Sequence, residues 1–196
     1  IGQRGEGPGE YREMDSFFVG KDCVYVCDMG KRAIYSYSFD GKFLHSLSFP
    51  YSLVFNDVVE LPDGRFLCHR PSQSENCKGL WILDQKGRRV KNLLEYEKGT
   101  PCKNSYWNTL CAQEDGTIKI YNPVDGSYYQ YDAVNDTVIR TMRQKSNLPM
   151  LADLHCSDRE LYETKEECTY SLFTVDGKNL VFSLWSFNSA NKGMWS

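Results

Sequence analysis

The chain has 196 residues and a net charge of −3; 41% of its residues are hydrophobic and 14% aromatic. That content can bury one core or a small repeat array, and the excess of Tyr and Phe favours pleated, half-buried surfaces. A mildly acidic chain has no pull towards nucleic acid or an anionic membrane, and no apolar run nears the roughly 18 residues that span a bilayer.

Residues 1–11 carry glycines at 2, 5, 7 and 9. A phosphate-cradling loop needs a strand before it, a helix after it and a lysine beside Ser or Thr, and none is present. The stretch reads instead as a tight loop whose glycines supply positive φ. A short strand at 15–19 and a turn at 20–22 lead into residues 23–49, which set the pattern for the chain. Three strands, 24–27, 33–39 and 43–49, are joined by the polar turn 28–32 and by Asp40-Gly41, a strong hairpin signal.

The same grammar recurs. A second unit reads as strands 55–61, 65–69, 79–83 and 88–96, and a third as 107–113, 117–121, 127–132 and 137–143. A fourth begins with strand-like 161–174, turns at Asp176-Gly177 and continues through 179–187. A four-stranded antiparallel unit returning every ~40–50 residues predicts a β-propeller array. Approximate blades are 12–50, 51–98, 99–145 and 146–196 within one domain, about three blades and a partial fourth. No segment keeps a helical period for three turns, and 157–167 holds a turn or two at most, so the fold class is all-β. Strand 24–27 is apolar on both faces, which suits a sheet packed on both sides.

Eight cysteines stand at 23, 27, 68, 77, 102, 111, 156 and 168, with no Cys-x-x-Cys. Four residues apart on a strand, Cys23 and Cys27 would lie ~13 Å apart, past the ~7 Å reach of a disulfide. Most of the eight read as free, buried thiols acting as small hydrophobes. Cys77–Cys102 and Cys156–Cys168 are the loop pairs that could bridge.

Val24-Tyr25-Val26-Cys27-Asp28, then Ala33-Ile34-Tyr35-Ser36-Tyr37, then Asp40-Gly41-Lys42-Phe43-Leu44 resembles the NHL-type propeller repeat. The leading glycine-rich segment through Gly9-Glu10-Tyr11 resembles the inter-blade segment of six-bladed propellers found as secreted or lipid-anchored proteins of gut Gram-negative anaerobes. The resemblance implies a propeller with a central channel, an extracytoplasmic location (periplasm, outer-membrane lipoprotein or secreted) and a binding role. Such a family needs about six blades, more than the chain supplies. The expectation is therefore a fragment, with closure on another copy through open blade edges or an irregular open form as the alternatives.

No Gly-x-Ser-x-Gly elbow, His-Glu-x-x-His helix or EF-hand loop is present, so no catalytic residue is assigned. His45 reads as structural, and His155 lies near Asp153 and Cys156 in an irregular stretch. Loops that follow second strands face the channel mouth in a propeller, and function gathers on such loops. They bring together Asp28, Arg32, His69, Arg70, Tyr121, Asn122 and Trp185 as candidate ligand-binding residues, although Asp28 could equally cap its own turn. Aromatic, amide and charged groups together suit a protein, peptide or carbohydrate ligand, with no cofactor. The alternative is a lactonase- or hydrolase-like propeller enzyme with Ca or Zn held by Asp28, Asn56, Asp57 and Asn122, and a structural or assembly role is the third reading.

Overall fold

The computed structural model describes residues 2–55, 57–70, 79–95, 109–113, 116–122 and 126–143 in full, and 168–176 and 179–187 as backbone. Among them there are fourteen strands and no helix. The first sheet holds β1 (Ser16–Val19), β2 (Val24–Asp28), β3 (Ala33–Tyr37) and β4 (Phe43–Ser48). The second holds β5 (Asp57–Glu60), β6 (Phe66–Arg70), β7 (Gly79–Leu83) and β8 (Arg89–Leu94). The third holds β9 (Leu110–Ala112), β10 (Ile118–Asn122), β11 (Ser127–Asp132) and β12 (Thr137–Arg143), and β13 (Cys168–Asp176) pairs with β14 (Asn179–Phe187). Each four-stranded sheet follows chain order with antiparallel neighbours, as propeller blades do. The chain is all-β, as its turn and strand signals predict. The residues at 157–167 and the cysteines at 77, 102 and 156 lie outside the described residues. Cys23, Cys27, Cys68 and Cys111 are free thiols.

One turn closes four of the hairpins. Ser38 N donates to Lys42 O at 2.8 Å and Gly41 N to Ser38 O at 2.8 Å. Leu61 with Arg65, Asp84 with Arg88, and Gln113 with Thr117 repeat that pair of bonds around Gly64, Gly87 and Gly116. The four glycines sit at φ 86°, 79°, 73° and 81° in chain order. Each is a three-residue loop whose third residue is a left-handed glycine, so the Asp-Gly pairs at 40 and 63 mark three-residue loops rather than two-residue ones.

Side-chain register explains the packing. β2 and β3 are buried at every position. Tyr25, Cys27 and Ile34 on one face of the first sheet meet Val58, Phe66, Cys68, Trp81 and Leu83 of the second. The opposite face of the second sheet, through Val59, Leu67, Leu80 and Ile82, meets Ile118, Ile120, Tyr129 and Tyr131 of the third. The second sheet is thus covered on both sides. That is why its strands are continuous apolar runs and lack the alternation of a half-wet sheet. Between the second and third sheets, Arg65 Nη1 and Nη2 donate to Asp136 Oδ2 and Oδ1 at 2.8 and 3.0 Å. Tyr131 Oη also donates to that carboxylate, and Lys91 Nζ donates to Asp136 O at 2.8 Å.

The remaining face of the first sheet, Val26, Ala33, Tyr35 and Tyr37, is packed by Tyr11 of the glycine-rich segment. Tyr37 Oη donates to Gly9 O at 2.7 Å, and Lys31 Nζ donates to Gly5 O and Glu10 O at 2.6 and 2.8 Å. Gly9, at φ 73°, lies where a Cβ would come within 2.6 Å of the Phe43 ring. The glycine-rich stretch is a folded loop clasped by a lysine.

Candidate functional site

The second strands β2, β6 and β10 end at Asp28, Arg70 and Asn122, which pair with Ala33, Gly79 and Ser127. One residue earlier stand Cys27, His69 and Tyr121, which face Ser16 and Asp57 on the first strands and Thr109 just ahead of β9. The folding therefore brings six of the candidate residues to one rim of the stacked sheets. Trp185 lies within β14, paired with Tyr170.

Most of these groups are used internally. Asp28 and His69 are 0% exposed, Tyr121 1% and Asn122 3%. Asp28 Oδ1 accepts from Lys31 N at 2.8 Å and Oδ2 from Arg12 N at 2.6 Å, so it both caps its turn and pins the chain ahead of β1. Asp57 does the same between sheets. Its Oδ2 accepts from Thr109 N and Leu110 N at 2.7 and 2.8 Å, and its Oδ1 from Val58 N at 3.0 Å. Burial pushes the Asp57 carboxyl up to about 6 in spite of those donors. His69 Nδ1 lies 2.6 Å from Thr109 Oγ1, and burial lowers its pKa to about 3, which keeps the ring neutral. Burial likewise raises the Cys27 thiol. Sequence spacing puts Asp28, His69, Tyr121 and Asn122 at or next to the ends of second strands. It cannot show that their polar atoms point into the sheets rather than into solvent.

What the rim offers to solvent is an aromatic ring from outside that set, Tyr51, held by one of its members, Arg32. Arg32 closes the β2–β3 turn at φ 56°, a left-handed conformation uncommon for a residue with a side chain. Its Nη1 donates to Leu53 O at 3.2 Å, and its guanidinium carbon lies 5.2 Å from the ring centre of Tyr51. Tyr51 is 77% exposed. The cation both fixes the loop after β4 and holds an aromatic face outward. Tyr51 is absent from the sequence-derived set because it belongs to no strand. The available signal is an aromatic residue in a connection whose apolar run has already ended. Arg70 is half-buried beside this rim.

Among the described residues no group of three or more His, Cys, Asp or Glu could hold a metal ion. Of the four residues considered for a cation, Asp28 and Asp57 spend their carboxylates on backbone N–H groups, Asn122 is buried, and position 56 lies outside the described residues.

A family model described as a 6-bladed beta-propeller matches residues 1–184. Among solved structures the chain is similar to a Bacteroides fragilis NCTC 9343 protein inferred to be exported, with 16% identity and a TM-score of 0.64 over 96% of this chain and 61% of that one. A weaker likeness is to virginiamycin B lyase from Staphylococcus aureus, with 9% identity and a TM-score of 0.45 over 88% of this chain and 54% of that one. The chain spans less than two thirds of either structure. No curated protein matches it.

Proposed function

The chain belongs to the six-bladed β-propeller family, and from that premise we propose that it is a non-catalytic binding scaffold outside the cytoplasm. Its ligand is a protein, peptide or carbohydrate engaged at the rim where the second strands end. The observation that carries this reading is the Arg32–Tyr51 pair: an exposed aromatic ring held by a cation 5.2 Å from its centre, on the ends of a rigid stacked sheet. An aromatic face supplies contact area at low entropic cost, and the neighbouring guanidinium supplies direction. The extracytoplasmic assignment draws on the likeness to the exported-type Bacteroides fragilis protein. The strained backbone at Arg32 adds support, since left-handed non-glycine residues gather at ligand contacts.

The test is a glycan and peptide array probed with the chain, followed by thermal shift with each hit. Binding that raises the melting temperature and is lost in Tyr51→Ala supports the reading. Hits that bind Tyr51→Ala and Arg32→Ala as well as the parent chain would place the ligand elsewhere.

A further inference from the structure

The two described junctions between sheets share one frame, so matching register positions can be compared residue by residue. Where the second sheet meets the third, Leu67 and Ile82 are fully buried, Ala112 stands at the end of β9, and Arg65 reaches across to Asp136. At the same positions, where the first sheet meets the second, stand Tyr25, Ser36 and Glu60, with Cys23 in place of Arg65. One junction is filled with hydrocarbon and latched by an ion pair. The other has polar groups in its wall and opens as a crevice of about 370 Å3. That volume falls in the ~300–1,000 Å3 range of small-molecule sites.

The wall includes Tyr25, Ile34, His45, Glu60, Phe66 and Gln85. Glu60 and His45 each have an internal hydrogen-bond partner before any ligand arrives. Tyr25 Oη donates to Glu60 Oε1 at 2.9 Å, and the Tyr25 ring is stacked on Phe18 at 4.6 Å and set edge-on to Phe66 at 5.4 Å. Ser36, only 1% exposed, holds His45 Nδ1 at 2.9 Å. A buried serine on the face where the next sheet carries isoleucine costs hydrophobic contact, and its hydroxyl orients an imidazole at the cavity wall. The wall contains a carboxylate, an imidazole and an amide but no lysine or arginine. It therefore repels anions and presents both acceptors and donors over an aromatic and aliphatic floor.

We propose that this crevice between the first two blades is a second binding site, for one neutral, hydroxyl-rich ring such as a hexose unit of a glycan. Ring hydroxyls donate to Glu60 and exchange hydrogen bonds with His45 and Gln85, while a C–H edge of the ring meets the narrow apolar surface that Phe66, Ile34 and Tyr25 leave open, each less than 10% exposed. The site is separate from the Arg32–Tyr51 rim and does not depend on it.

The test is a titration of the full chain, followed by NMR of its His and aromatic side chains. Methyl β-glucoside, methyl β-galactoside and methyl α-mannoside are the probes, with tetramethylammonium and acetate as cationic and anionic controls. At least one glycoside is expected to shift the Tyr25, His45 and Phe66 signals saturably, with a Kd of roughly millimolar order. Glu60→Gln, which keeps the shape of the side chain, should weaken that binding by about tenfold. Ser36→Ile combined with Glu60→Ala, which installs the residues of the other junction, should abolish it. The proposal is overturned if no glycoside gives a saturable shift, if Glu60→Gln binds as well as the parent, or if tetramethylammonium binds more tightly than every glycoside.

Discussion

Replacing Asp57 probes the buried layer that ties the second sheet to the third. Its Oδ2 is the acceptor for both Thr109 N and Leu110 N across the junction. Asp57→Ala leaves those two donors buried without a partner, at about 1–3 kcal/mol each, a loss of roughly 2–6 kcal/mol. Asp57→Asn keeps one carbonyl oxygen and removes the charge. With the folded pKa raised to about 6 from 3.8, carrying that charge at neutral pH costs about 3 kcal/mol, so the Asn variant should be far milder than Ala. The pH dependence separates the two explanations. A carboxyl with a raised folded pKa favours folding most below about pH 4 and loses that contribution as pH rises through about 6. His69 runs the other way: its folded pKa is lowered to about 3 from 6.5, so stability falls as pH drops below about 6.5. Between about pH 4 and 6 the two slopes oppose each other. Removing Asp57 leaves the histidine slope, so the stability of Asp57→Asn relative to the parent should rise by about 1.4 kcal/mol per pH unit in that window. Urea unfolding followed by tryptophan fluorescence at constant ionic strength measures it. Parallel pH curves for Asp57→Asn and the parent, or an Asp57→Ala as stable as the parent at neutral pH, would refute the reasoning.

Arg65→Ala and Asp136→Ala should each lower stability by about 1–2 kcal/mol, discounted because the two side chains are 25% and 23% exposed. A double-mutant cycle should show coupling that shrinks as sodium chloride is raised; additive losses would mean that the pair is not a latch. Tyr37→Phe removes the hydroxyl that donates to Gly9 O. Amide exchange over residues 3–11 should then quicken about fivefold, equivalent to about 1 kcal/mol, while the β2 and β3 amides stay protected.

The architecture was legible because its signals are local. Asp-Gly pairs, short apolar runs and their spacing all act within a few residues, and the strands they predict coincide closely with β2, β3, β7 and β11. The continuous burial of β2 follows from the lack of alternation in Val24–Asp28. The candidate site was half legible. Asp28, His69, Arg70, Tyr121 and Asn122 do share one rim, since each stands at the end of a second strand or one residue before it. Whether a strand-end side chain turns inward depends on the neighbouring sheet, which sequence spacing does not encode. Asp57 shows the difficulty: its partners at Thr109 and Leu110 lie 52 and 53 positions along the chain. Glu60, Ser36 and Tyr51 were hidden for the same reason. Each gains its meaning from a residue on another sheet or loop, namely Tyr25, His45 and Arg32.

The two seams of this stack are made of unlike materials. The first is greased, with Phe18, Tyr25 and Phe66 ring against ring. The second is soldered by Arg65 and Asp136 and by the buried Asp57 carboxylate, which accepts from Thr109 N and Leu110 N. In a linear stack each layer feels only its neighbours, so a solvent change that loosens one seam need not disturb the other. Added salt screens the Arg65–Asp136 pair and leaves the ring stack of the first seam untouched. The contact between the second and third layers therefore answers to ionic strength, while the rings that join the first two do not.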